Sequence, residues 1–541
     1  MRWTGVGVCF FVSTLARAEE GSVSPERALR VSQDLYQSGQ YFTSARYAFL
    51  ASQSSSLEPR ANAQITLSLV KARLHQSASY FFVRTLESGD RPSIRRVLTV
   101  TQELMGRVGA DLLRSYLVKH TTGADFPPEA KNAYLFSMAK EALLRGEETQ
   151  VSSYTSSMSA RSEFWPYALQ IRASAHAIQG KRIEALADFR ACAKESLNLI
   201  SRFESDPDLE VREKNHSIAE ARDLSARCQA GVARVLYEQE KFQEADIEYD
   251  RIDKRMMVWP DILIEQAWNA YSRNEYNRSL GKLVTYKSPA LRFVYNPEID
   301  ILRAQSYLAL CLYEDSSQVL DEFAKKYEKL GKEIKTWVES NAADLSSFYD
   351  LGKSAFENSL SSAKPIHQVA NRFVRSPYFR QLVNAEESVL REAQAVSRFS
   401  GVAIRVPLKR GAPPVGGFPG FLERVLTWRT WSVISLGGAF VKNSLIDHHA
   451  ELVNQLERAS FIRLDLLGRQ KAQLQKAIGQ VPLLTDDLGR VRGDQRPRRR
   501  DNQYYWGFNG EFWNDEIGDY VFGLESRCEL NGLEEGKKGR S

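Results

Sequence analysis

At 541 residues, 43% hydrophobic and 26% charged, the chain is too long for one compact core and too apolar to be disordered. Its 73 basic and 67 acidic residues leave a formal charge of +6, too mild for a surface that grips nucleic acid along its whole extent. The first 18 residues have the composition of a secretory signal peptide. Arg2 supplies the positive start, Val6 to Val12 an apolar run, and Ala16 and Ala18 the small residues of a cleavage site. That run is too short for a permanent anchor, and Cys9 lies inside it, which argues against a lipoprotein. Export with cleavage after Ala18 is therefore expected.

Residues 19–335 carry an internal repeat. Ala139 and Ala173 stand 34 positions apart, as do Ala233 and Ala267. Seven positions beyond the first two are Gly146 and Gly180. Nine positions beyond the second two are Phe242 and Tyr276, and Ala185 and Ala245 follow at twelve, Phe189 and Tyr249 at sixteen. A further unit is anchored on Ala304, with Tyr313, Ser316 and Leu320 at matching offsets. Small residues at two fixed positions let paired helices approach closely, while the larger side chains fill the space between them. One such pair cannot bury its apolar face alone, so the units must stack. Ala, Leu, Glu, Lys, Arg and Gln dominate the body, which predicts an all-α fold.

These segments, AYLFSMAKEALLRGEETQ, LQIRASAHAIQGKRIEALADF, GVARVLYEQEKFQEADIEY and EQAWNAYSRNEYNRSLGKL, resemble tetratricopeptide (TPR) repeats over roughly residues 130–335. LYQSGQYFTSARYAF suggests a degenerate unit at 28–51, off register by one residue. The family's late proline is mostly absent, and Ser279 and Ser316 stand where alanine is usual. The interval from Ala173 to Ala233 reads as one repeat plus an inserted or lengthened helix containing SRFESDPDLEVREKNH. The resemblance implies a solenoid whose first helices line a concave surface that holds a protein or extended peptide. The corresponding positions here are Lys140, Ser174, Arg234, Trp268 and Gln305, with Tyr237 and Tyr271 one turn further on. Arg234, Tyr237, Trp268 and Tyr271 are the expected anchors, because arginine and aromatics bury large areas at low entropy cost. Trp268 and Tyr271 could equally fill gaps between adjacent repeats.

Residues 336–410 read as a helical extension, with Trp337, Phe348 and Tyr349 in apolar positions. GAPPVGGFPG, 411–420, is a Gly/Pro linker. Residues 421–485 form a long helical segment whose Leu445, Leu452, Leu456, Ala459, Leu466 and Leu474 suit a helical hairpin or coiled coil, or packing against 380–400. The run WSVISLGGAFV within it is too short to span a bilayer. A basic linker, 486–503, includes Arg496, Arg498, Arg499 and Arg500, which could attract an anionic membrane surface or serve only as a solvated connector. The tail, 504–541, is dense in aromatics and reads as turns followed by a short strand at 519–524. Its Trp506, Phe508, Phe512 and Trp513 are either docking anchors for a partner or a self-buried cap.

The tail pattern WxFxGExWxDExGxY, after a signal peptide and helical repeats, is similar to exported envelope repeat proteins associated with bacterial gliding motility. That resemblance implies the periplasm of a Gram-negative bacterium and a place in an envelope complex. Export leaves Cys192, Cys228, Cys311 and Cys528. A Cys192 to Cys228 bridge tying the insert and buried free thiols both remain open. No nucleophile elbow, phosphate loop or HExxH motif is present, and the histidines are scattered. His448 with Glu451, and Glu511, Asp515, Glu516 and Asp519, are read as polar surface groups, not as metal ligands. The expected protein is a non-enzymatic scaffold without cofactor or metal that binds no nucleic acid. The alternative is a cell-wall enzyme, or a regulator of one, with the tail as its working part.

Overall fold

The computed structural model describes residues 23–207, 209–291, 293–358, 364–408, 415–479, 503–506 and 519–528. The expected signal peptide, Phe508, Phe512, Trp513, Glu511, Asp515, Glu516 and the Arg496 to Arg500 cluster lie outside the described residues. Among those described, 21 α-helices form an all-α helical repeat array with a long C-terminal helix, joined by one two-stranded β-pair. They are α1 (Pro25–Gln37), α2 (Tyr41–Ala51), α3 (Glu58–Lys71), α4 (His75–Glu87), α5 (Arg91–Leu98), α6 (Thr101–Val108), α7 (Ala110–His120), α8 (Lys131–Leu144), α9 (Glu148–Ser156), α10 (Trp165–Ile178), α11 (Arg182–Ser205), α12 (Val211–Glu238), α13 (Phe242–Asp250), α14 (Trp259–Ser272), α15 (Tyr276–Val284), α16 (Glu298–Ala309), α17 (Tyr313–Ser340), α18 (Leu345–Glu357), α19 (Pro365–Val374), α20 (Pro377–Ser400) and α21 (Gly417–Gly479). The strands are β1 (Gln503–Trp506) and β2 (Asp519–Phe522), paired in parallel.

Seven helix pairs are closed by the same turn, and the turn sets the repeat. Gly39, Arg73, Gly146, Gly180, Glu240, Asn274 and Cys311 all adopt left-handed backbone, with φ between 58° and 80°. The next residue then donates its N–H to the carbonyl five positions back, as from Glu147 to Ala142 and from Lys241 to Leu236, at 2.8 and 3.0 Å. This is the helix-ending arrangement that glycine favours. Only three of the seven positions carry glycine, so the signal fades in the sequence while persisting in the backbone.

Counting from that turn corrects two readings. The unit at 28–51 is in register, with Ser32 and Ser44 at its two small-residue positions. The hydroxyl of Ser32 donates to the Ser44 carbonyl at 2.8 Å and that of Ser44 to the Ser32 carbonyl at 2.7 Å. A unit over α3 and α4 was missed, because Thr66 and Arg73 occupy the places where alanine and glycine would have marked it. Serine is accepted at these sites because its hydroxyl finds a carbonyl across the pair, as Ser316 does on Ala304 at 2.9 Å. The long interval after Ala173 is taken up by lengthening: α11 has 24 residues and α12 has 28.

The framework divides into two compact units. One comprises the chain up to Phe164 together with Gln381–Val433, the other Trp165–Arg380 together with the chain from Ile434 onward. In the first, the end of α20 and the start of α21 pack on α1–α4. Phe399 stacks on Phe42, Phe421 meets Phe49 and Phe81, and Leu426 joins Val389 and Ala393. Buried Glu392 accepts from the N–H groups of Gln76 and Ser77 at 2.5 and 2.9 Å, capping the N-terminus of α4 from another helix.

In the second unit, α21 buries Leu445, Leu452, Ala459 and Leu466, whereas Leu474 is exposed. The glycines of WSVISLGGAFV do not interrupt it. Gly438 instead admits the Leu345 carbonyl oxygen to 2.0 Å from where a β-carbon would sit. The helix begins at Gly417, so residues 417–420 of the expected linker are its first turn, where Pro419 is tolerated. No helix among the described residues is long and apolar enough to cross a membrane.

Two disulfides are formed among the described residues. Cys192 and Cys228 join α11 to α12, so the bridge is made and the thiols are not free. Cys311, at the left-handed turn between α16 and α17, joins Cys528 in the tail. The second pairing spans 217 residues and had no local signal in the sequence.

Candidate partner-binding surface

The first helices of three successive pairs, α12, α14 and α16, lie side by side in the second unit, and the resemblance-derived positions fall along them. Arg234, Tyr237 and Trp268 are each tied to the next helix in the row. The Arg234 guanidinium forks onto Glu265, donating from Nε at 2.9 Å and from an Nη at 2.7 Å, and its side chain remains 53% exposed. Tyr249 donates to the same carboxylate at 3.0 Å. Burial, and then the Glu265 charge, push the Tyr249 phenol well above its ordinary pKa, so it stays a donor.

Trp268 repeats the scheme one helix on. Its indole N–H donates to Glu298 at 3.0 Å while its ring packs edge-on against Tyr271, with centroids 5.6 Å apart. Tyr271 in turn meets Tyr276 at 5.3 Å. Trp268 and Tyr271 are half-buried against Ile264, Ala267, Leu283 and Leu302, so they fill inter-repeat gaps while keeping an outer edge. Tyr237 shares a hydrogen bond with Ser272 at 3.0 Å. Gln305 is half-buried on α16, and its side-chain oxygen finds no hydrogen-bond partner.

Lys140 lies in the first unit, where it pairs with Asp111 at 2.7 Å. Ser174 donates back to the Gln170 carbonyl of its own helix at 2.9 Å. Trp506 is the last residue of β1.

Beside α16 there is a cleft of about 270 Å³ that the sequence did not signal. Asp300 holds Arg303 at 2.8 Å and reaches Lys326 at 3.9 Å across it, with Glu322 and Tyr327 on the far wall. Burial, and then Arg303, draw the Lys287 ammonium below its ordinary pKa. The lining thus mixes both signs of charge and suits a polar side chain better than a simple anion.

His75 and His448 are taken up structurally. His75 pairs with Glu103 at 3.0 Å, and His448 bonds the Ser444 carbonyl at 2.8 Å and packs on Phe373. His448 and Glu451 are half-buried instead of facing solvent, since α19 supplies Phe373 and Arg372 against them. Among the described residues no group of three His, Cys, Asp or Glu is placed to hold a metal ion.

No protein-family model matches the chain, and no curated protein matches it. Among solved structures it is similar to a circular tandem repeat protein with novel repeat topology and enhanced subunit contact surfaces. The two align over 84% of this chain and 93% of that one, at 13% identity and a TM-score of 0.15. A score that low adds nothing to the architecture, which rests on the seven turns and the helix pairs they close. By those pairs, the chain is a helical repeat protein.

Proposed function

We propose that this protein is an exported, non-enzymatic scaffold of the TPR kind, which holds a protein or extended peptide along the first helices of its second unit within an envelope complex. The observation that carries the reading is the row Arg234, Trp268 and Tyr271, with Tyr237 beside it. The Arg234 guanidinium and the Trp268 and Tyr237 rings are held by Glu265, Glu298 and Ser272 on the next helices, and Tyr271 packs on Trp268 and Tyr276. Such pre-ordered side chains lose little entropy when a partner covers them. The two disulfides support export, because such bonds persist in oxidising compartments.

The test is capture from a crosslinked envelope fraction, comparing the full chain with a variant in which Arg234, Tyr237, Trp268 and Tyr271 are all replaced by alanine. The reading expects the variant to lose at least one partner while keeping its helical content. Retention of every partner by the folded variant would overturn it.

A further inference from the structure

The second unit holds a strand that is foreign to its helix pairs. β2 comes from the tail and packs against α15 and the end of α16, more than 200 residues earlier in the chain; Asn277 and Leu524, which bond each other, are 247 positions apart. Tyr520, Val521 and Phe522 are all buried. Tyr520 and Phe522, alternate residues of the strand, enter an apolar cluster with Leu280, Val284, Leu310 and Leu312, against which Leu524, Tyr276 and Tyr307 also pack.

The remaining contacts read backbone. The Asn277 amide accepts from the Leu524 N–H at 3.0 Å and donates to the Leu524 carbonyl at 2.9 Å, satisfying both main-chain groups of one residue. The Arg527 N–H donates to the Leu310 carbonyl, which the end of α16 leaves free, at 2.9 Å. Gly281 makes room for all of this: the Tyr520 carbonyl oxygen lies 1.9 Å from where its β-carbon would stand. Main-chain clamps combined with pockets for alternate side chains are how extended peptides are recognised in general.

We propose that this face is a receptor for an extended strand of another polypeptide bearing the pattern aromatic-x-aromatic-x-leucine, and that Tyr520–Leu524 is its resident ligand. The Cys311 to Cys528 bridge fastens the resident, so the face is open to a second strand only when that bond is absent. Even unbridged, the tethered tail competes at high effective concentration. The site uses none of Arg234, Tyr237, Trp268 or Tyr271, so it stands or falls apart from the scaffold reading.

The experiment uses the full chain carrying Tyr520→Ser, Phe522→Ser and Cys528→Ser, which disables the resident ligand. The probe is a fluorescent peptide with the sequence of residues 517–528, its cysteine replaced by serine, read by anisotropy. The variant should bind the probe at least tenfold more tightly than the parent chain. Adding Gly281→Ala or Asn277→Ala should remove that binding. Equal binding with and without Gly281→Ala overturns the proposal, as does no binding by a variant whose circular dichroism matches the parent.

A second measurement does not depend on the triple variant folding. In a chain carrying Cys528→Ser alone, Gly281→Ala should speed hydrogen exchange of the Leu524 and Arg527 amides at least tenfold. Alanine favours the helix over glycine, so general unfolding is not the expected cause. Unchanged exchange there would equally count against the receptor.

Discussion

Replacing Cys192 and Cys228 together by alanine tests how far the α11–α12 hairpin depends on its bridge. The cysteines are 36 residues apart and fully buried, in the middle of two long packed helices. Releasing a loop of that length returns chain entropy to the unfolded state worth about 4 kcal/mol. Helix pairing that survives in the opened state would lower the figure, because the loop would already be partly closed. A change of that size corresponds to about three decades in the population of the open hairpin.

The chain has two compact units and repeats, so one unfolding midpoint would not isolate this effect. The assay is therefore hydrogen exchange of peptides covering 185–236, with peptide mapping under non-reducing conditions. Mapping of the parent should recover the segments containing Cys192 and Cys228 as one linked species. The variant should exchange its α11 and α12 amides about 100- to 1000-fold faster, with α16 and α17 unaffected. Linked peptides in the parent but exchange within threefold in the variant would refute the loop-entropy reasoning. Free thiols in protein purified without reductant would refute the bridge itself.

Gly231→Ala should destabilise the same hairpin by about 1–2 kcal/mol, since its β-carbon would lie 2.5 Å from the Phe189 ring and the alanine helix preference offsets only part of that. A neutral or stabilised urea midpoint in that unit would show that Phe189 swings aside freely. Arg234→Ala alone should change stability by no more than about 1 kcal/mol, because the guanidinium is half-exposed and Glu265 keeps the Tyr249 hydroxyl as a donor, yet weaken partner capture at least tenfold. Loss of folding without loss of capture would reverse the roles assigned to it.

Glu103 is held below the usual carboxylate range, chiefly by its hydrogen bond to His75. A depressed folded pKa contributes stability that is present above the ordinary glutamate value and disappears as pH falls through the folded value. Glu103→Gln should therefore narrow the stability difference between pH 6 and pH 3.5, measured by urea unfolding of the first unit. An unchanged difference would mean that the pair contributes nothing net.

The all-α class and the repeat were readable because they depend on local rules. A small residue where helices touch and a left-handed residue where they turn recur at fixed spacing, as Ala233, Glu240 and Ala245 do. That legibility failed where chemistry substituted for identity. Ser32 and Ser44 do the work of alanines by bonding each other's carbonyls, and Arg73 takes the conformation that Gly146 advertises. Arg234, Tyr237, Trp268 and Tyr271 were singled out by the resemblance to TPR repeats applied to the register, but their partners Glu265, Ser272 and Glu298 were not.

What only the tertiary structure decided was everything joining distant parts of the chain. Cys528 finds Cys311, Asn277 clamps Leu524, Gly281 gives way to Tyr520, and Glu392 caps α4. Periodicity reports which face of a helix is buried, because that depends on neighbours three and four residues away. It carries no information about which remote segment covers the face, since any strand of suitable size and hydrogen-bonding capacity satisfies the same local pattern.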